Sequence, residues 1–148
     1  CQCECGVIKE VPGRDLKSGA SQSCGCMANM SRLEYHVRQC LDADNIPYKY
    51  QHKYVDLQGV GGKLLSYDFI LYDDYGNELC VIECQGEQHY RPIKKFGGAK
   101  QLLKQQIHDQ LKKEYALNVL HIPLYEVTYV NTLKSDVYNV LKSCNIIK

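Results

Sequence analysis

No apolar run in this sequence approaches the length needed to cross a membrane, and no charged segment followed by an apolar one opens the chain. Neither a spanning helix nor a secretory signal is therefore expected. Internal repeats and low-complexity tracts are also missing, which leaves repeat architectures out. An excess of one charge is missing too: 18 Lys and Arg face 17 Asp and Glu, for a formal net charge of +1. Overall charge thus argues neither for nor against nucleic acid, and any basic surface has to be local. Together these absences predict a soluble, intracellular protein with no membrane partner. The first residue is Cys1 rather than Met, as expected of a fragment or processed chain. At 148 residues the chain suffices for one domain with a real core and a small appendage.

What is present in excess is cysteine, and it is unevenly spread. Five of the nine cysteines fall in the first 26 residues, as CQCECG and SCGC. Clustering of this kind points to metal rather than to disulfides, and an odd total fits a reducing compartment. Cys3 with Cys5 and Cys24 with Cys26 form two close pairs around a polar loop, and four thiolates in two turns close a tetrahedral Zn²⁺ site. Cys1 competes with Cys3 as a ligand. So few apolar residues lie here that the segment needs a staple to order, so zinc is favoured over an oxidised tail. Cys40, Cys80, Cys84 and Cys144 sit in apolar patterns, where a reduced thiol is a small core residue.

Taken in order, Ser31 opens a helix with Leu33, Val37, Cys40 and Leu41 at helical spacing, closed by Asn45 and Pro47. Glu34 stands three residues after Ser31, the capping-box spacing, so a purely local role for it is at least as strong as a functional one. Tyr48, Tyr50, His52 and Tyr54 alternate with polar residues, the period of a strand with one wet face. Gly59 to Gly62 make a turn. Leu117 to Leu124 is an apolar run expected to supply a fourth strand, on which His121 reads as a core histidine. Asn131 to Ile147 has helical periodicity and is expected to pack on the sheet.

The stretch Ser66 to Tyr90, SYDFILYDDYGNELCVIECQGEQHY, reads as two strands and a polar loop. A turn centred on Tyr75 and Gly76 sets Asp68 opposite Glu83 in antiparallel pairing. Carboxylates in otherwise apolar strands need partners. Two facing one another repel unless a cation lies between them, and Mg²⁺ takes such oxygen ligands. After this hairpin comes a basic segment with Arg91, Lys94, Lys95, Lys100, Lys104, Lys112 and Lys113 against Asp109 and Glu114. Its helix starts near Gly98, with Leu102, Leu103, Ile107 and Leu111 expected on the buried side and Lys100, Lys104, Gln105 and His108 elsewhere. Lysine-rich faces are usually just solvated, but beside a metal site Lys94, Lys95, Lys100 and Lys104 are candidates for phosphate contacts with DNA. His108 neighbours Asp109 but points about 100° away from it on an ideal helix.

The pattern Asp68-x14-Glu83-x-Gln85 resembles the PD-(D/E)xK nuclease signature, with Tyr67 in place of its proline and Gln85 in place of its lysine. The region from Ser31 to about Glu126 more closely resembles the EDxHD endonucleases, phage and intron homing enzymes related to the very short patch repair endonucleases. Glu34 in SRLEYH, Asp68 in YDF, His89 in ECQGEQHY and Asp109 in HDQLKK carry that resemblance. It implies that Asp68 binds Mg²⁺, that His89 activates water or handles the scissile phosphate, and that Glu34 and Asp109 support the site, with Glu83 at a variable metal-side position. The CxCG and SCGC segment resembles those attached to phage homing endonucleases.

The resulting expectation is an α/β (α+β) protein. Residues 1–30 form a small zinc ribbon-like segment, and residues 31–148 a restriction-endonuclease-like domain whose central mixed sheet is flanked by helices. The function expected is Mg²⁺-dependent hydrolysis of DNA phosphodiesters, with a near-neutral imidazole accepting the water proton. Oligomeric state is open, a homodimer included. Two other readings compete. The lysine absent at Gln85 keeps alive a catalytically inactive nucleic-acid-binding module, and a zinc-stapled protein-interaction module is the third option.

Overall fold

A computed structural model of the chain describes residues 1–3, 8–21, 24–25, 30–92, 98–130 and 133–147. Asp73 nucleates the hairpin at the centre of the sequence. Its Oδ1 accepts the backbone N–H groups of Tyr75 and Asn77, and Gly76 takes the positive φ of 86° that the reversal needs. On either side run β2 (Leu64–Tyr72) and β3 (Glu78–Gln85). They pair as Phe69 with Ile82, Ile70 with Val81 and Leu71 with Cys80, the register that places residue 68 opposite residue 83. A one-residue shift between Leu71 and Tyr72 is absorbed at the turn.

The strand β1 (Tyr48–Gln58) joins the free side of β2 antiparallel, and β4 (Leu124–Thr128) joins β3 parallel. The result is a four-stranded mixed sheet in the order β1-β2-β3-β4. Helices flank it, so the architecture is mixed α+β. The fourth strand is not where the apolar run lies. Ala116–Leu120 instead prolongs a helix as a π-helical turn, and Ile122 N–H bonds back to the Ala116 carbonyl at 3.1 Å. His121 closes that turn in the left-handed conformation and is exposed, not a core histidine. The apolar run satisfies its backbone helically, and the chain extends only after Pro123.

After a short helix α1 (Gly13–Lys17) come α2 (Arg32–Ala43), α3 (Gly98–Tyr115) and α4 (Lys134–Ser143). Val37, Cys40 and Leu41 of α2 and Val137 and Leu141 of α4 pack on Phe69, Leu71, Ile82 and Val127. On the opposite face Leu57, Tyr67, Ile70 and Val81 meet Ala116, at the end of α3. No helix among the described residues is long and apolar enough to cross a membrane.

Two departures from simple patterning shape the site. The first lies in α3, where Leu103 is 61% and Ile107 41% exposed while Lys112 is buried. The expected apolar side of this helix is therefore realised only in part, with Leu102 and Leu111 half-buried and Leu103 and Ile107 facing solvent, while the polar stripe through Lys112 faces the sheet. The second lies in β1 and β2. Tyr48 and Tyr50 pack with the α2/α4 core, whereas Tyr54, two alternations further, packs on the α3 side. Across the ladder, Phe69 belongs to the first cluster and Tyr67 to the second. Both strands thus switch faces at the paired positions 51 and 68, where Gln51 adopts φ 53°, while the alternation expected of β1 holds, with Tyr48, Tyr50, His52 and Tyr54 half-buried and Lys49, Gln51 and Lys53 exposed.

Candidate active site

The β2–β3 ladder ends at Phe69 and Ile82. One step further the strands are held by carboxylates: Asp68 N–H donates to Glu83 Oε1 at 3.3 Å, and Cys84 N–H donates to Asp68 Oδ2 at 2.7 Å. The repulsion expected between the two acids is met by donors from elsewhere. Lys112 Nζ, reaching in from α3, bonds Glu83 Oε2 at 2.7 Å, and Gln51 Nε2 bonds Asp68 Oδ1 at 2.9 Å. Glu83 is only 3% exposed and Lys112 9%. Lys112 is fixed further by its carbonyl, which accepts the Tyr67 hydroxyl at 2.7 Å. Burial pushes the Glu83 carboxyl up, and the Lys112 ammonium opposes that shift. Burial likewise raises Asp68, against the Cys84 N–H and the charge of Lys112.

These groups line a cleft of about 520 Å³, together with Glu34, His89 and Gln105. Glu34 fills the capping role weighed from the sequence and also lines the cleft. One of its oxygens accepts the Ser31 amide in a full capping box, while the other accepts Tyr50 Oη at 3.1 Å and Gln51 Nε2 at 3.2 Å. Burial and the Glu34 carboxylate push the Tyr50 phenol up to about 12, which keeps it a donor. His89 ends the 3₁₀ turn Glu87–His89 that follows β3. Its Nδ1 meets Asp109 Oδ2 at 2.8 Å, and Gln105 Nε2 donates to Asp109 Oδ1 at 3.0 Å. Burial works to raise Asp109, but its bond to His89, with Gln105 and Lys112, holds it below the usual carboxylate range. An imidazole held through Nδ1 by a carboxylate keeps Nε2 as its reactive nitrogen.

Of the other predicted residues, Gln85 does not line this cleft. It is buried and donates from Nε2 to Glu126 at 2.6 Å, where Lys113 also binds at 2.9 Å. His108 turns away from Asp109 as helix geometry requires, and its Nε2 accepts Val60 N–H at 3.0 Å. Lys100 lies exposed and Lys104 half-buried on α3. Lys94, Lys95, Cys5 and Cys26 lie outside the described residues. Cys3 and Cys24, with Cys1, line one small cavity of about 110 Å³.

No family model, curated protein or solved structure matches this chain. The chemistry of the cleft has therefore to be read from its own atoms. Cys84 lines it, but burial together with Asp68, Glu34 and Glu83 pushes that thiol well above 9.0. It is a protonated thiol rather than a nucleophile. Among the described residues no three His, Cys, Asp or Glu side chains form a cluster that could hold a metal ion. Asp68 and Glu83 nonetheless offer hard oxygen donors, and one or two carboxylates are the usual protein share of a Mg²⁺ site that also takes waters and phosphate. Each of their four oxygens accepts one hydrogen bond here, which leaves a second lone pair on each. Asp68 is half-buried and lines the cleft, so the donor set fits a hard divalent cation.

Lys112 is the functional residue that reading along the chain missed. Its signal was there: Gln105, His108, Asp109 and Lys112 fall at i, i+3, i+4 and i+7, one helical face made wholly of polar groups.

Proposed function

We propose that this cleft hydrolyses phosphodiester bonds of DNA with Mg²⁺ at Asp68 and Glu83. The observation that carries the reading is the convergence of an acidic pair, a buried lysine and a carboxylate-held histidine on one cleft. Bound there, Mg²⁺ polarises a phosphoryl oxygen and offsets the charge that grows on it. His89 Nε2 takes the proton of the attacking water, and Asp109 fixes the ring and stabilises the imidazolium that forms. Lys112, 2.7 Å from Glu83, supplies the ammonium that the resemblance to PD-(D/E)xK nucleases finds missing at Gln85. That supports a catalytic reading over a binding-only module. Glu34 sets the far wall of the site through Tyr50 and Gln51.

The same reading makes residues 31–148 a restriction-endonuclease-like domain of EDxHD type, and residues 1–30 a zinc segment that helps grip DNA together with Lys94, Lys95, Lys100 and Lys104. Plasmid DNA incubated with the protein and Mg²⁺ tests it. Nicked or linear product is expected, and its loss in both Asp68→Ala and His89→Ala. Unchanged cleavage in the two variants overturns the assignment. Salt-sensitive binding with no metal-dependent product favours the inactive binding module.

A further inference from the structure

Among the described residues, four non-glycine residues have positive φ: Asn45, Gln51, His121 and Asn145. Asn45, His121 and Asn145 each follow the last turn of a helix, where the left-handed conformation is the ordinary way to end. Gln51 lies in the middle of β1, between Tyr50 paired with Phe69 and His52 paired with Tyr67. The register is the same on both sides of it, so no inserted residue demands the distortion. Gln51 is itself exposed, so the packing of its own side chain does not demand it either.

What the distortion achieves is visible in the side chain. Ser66 Oγ donates to Gln51 Oε1 at 2.9 Å, and the carboxylates at the other end, which only accept, fix which end of the carboxamide is which. The Nε2 end then donates to Asp68 Oδ1 at 2.9 Å and to Glu34 Oε1 at 3.2 Å. One amide nitrogen therefore bridges acids that come from a helix and from a strand. Strain held at such a point is a marker of function. An amide N–H draws on a carboxylate oxygen through a partial positive charge, so it weakens that oxygen's hold on a cation even though a second lone pair remains.

We propose that Gln51 is a positioning residue of this site: its carboxamide holds Asp68 and Glu34 in a cation's stead and yields Asp68 when a divalent ion binds. The inference rests on the metal reading of the cleft given above. Mn²⁺ binding measured by calorimetry on the DNA-free protein tests it. Gln51→Ala is expected to bind Mn²⁺ about tenfold tighter, since a hydrogen bond to a charged group no longer opposes the ion. The same variant is expected to cleave with a lower kcat, because Glu34 and Asp68 lose their shared restraint. Gln51→Asn accepts the left-handed backbone more readily but its amide is one methylene short, so it should bind like Gln51→Ala. It also carries the test if the alanine variant fails to fold. Affinity that is unchanged or weaker in both variants, with binding still abolished by Asp68→Ala, overturns the role of Gln51. Mn²⁺ that fails to bind the wild type, or binds regardless of Asp68→Ala, overturns the metal reading and this inference with it.

Discussion

Replacing Lys112 by Met tests the electrostatic centre of the cleft most directly. It leaves Glu83, 3% exposed, without its counter-charge but with a side chain of similar length in place. A buried carboxylate that loses its partner costs about 3–5 kcal/mol while it stays ionised. Protonation is the escape, and it sets a ceiling. Holding Glu83 neutral at pH 7.5, three units above its ordinary 4.5, costs about 4 kcal/mol. The wild type already carries most of this cost, because burial raises Glu83 to about 8 even with Lys112 present. We therefore expect the deficit of Lys112→Met to open above about pH 8, where wild-type Glu83 ionises beside Lys112, and to reach about 2 kcal/mol near pH 9.5. The sign with pH follows from linkage. A carboxyl raised in the folded state contributes stability that is complete below pH 4.5 and is lost as pH rises toward its folded value. Raising that value further makes the variant's deficit grow with pH by up to about 1.4 kcal/mol per unit. Urea denaturation followed by circular dichroism, at a series of pH values, measures it. The double variant Glu83→Gln/Lys112→Met, with neither charge, should recover most of the loss. A Lys112→Met protein within about 0.5 kcal/mol of wild type near pH 9.5, a spread ordinary for surface changes, refutes the reasoning, as does a deficit that does not grow above about pH 8.

Asp109→Asn removes the carboxylate from His89 Nδ1 while keeping its shape, and should lower the rate of plasmid cleavage by about 10²–10⁴-fold, the usual contribution of general acid–base catalysis. Burial lowers the His108 imidazole, with Lys104 adding to the shift, and its Nε2 has to stay unprotonated to accept Val60 N–H. Stability from this contact should be complete above pH 6.5 and fall away as pH drops through the lowered folded value. His108→Gln should flatten that acid limb in thermal melts. Elemental analysis of the purified protein is expected to find zinc, and Cys24→Ser to lose it; equal zinc in both would contradict the ligand set.

Local chemistry determined much of this protein on its own. The turn at Tyr75 and Gly76, the register that puts Asp68 against Glu83, and the Ser31–Glu34 capping box depend on a few neighbouring residues and their dihedral preferences. All three could be read along the chain. The partners of those groups could not, because they come from distant elements. Reading α3 by its apolar residues assumes that hydrophobic faces turn inward. Here the sheet holds a buried carboxylate, and matching it with Lys112 outweighed the burial of Leu103 and Ile107. Likewise the run at Leu117 to Leu124 looked like a strand, yet it had a preceding helix to extend and joined it. The face switch at Gln51 has no signature in composition or period at all. It goes with the packing of Tyr54 and Tyr67 on the α3 side, and it sets one side chain between the Glu34 of a helix and the Asp68 of β2.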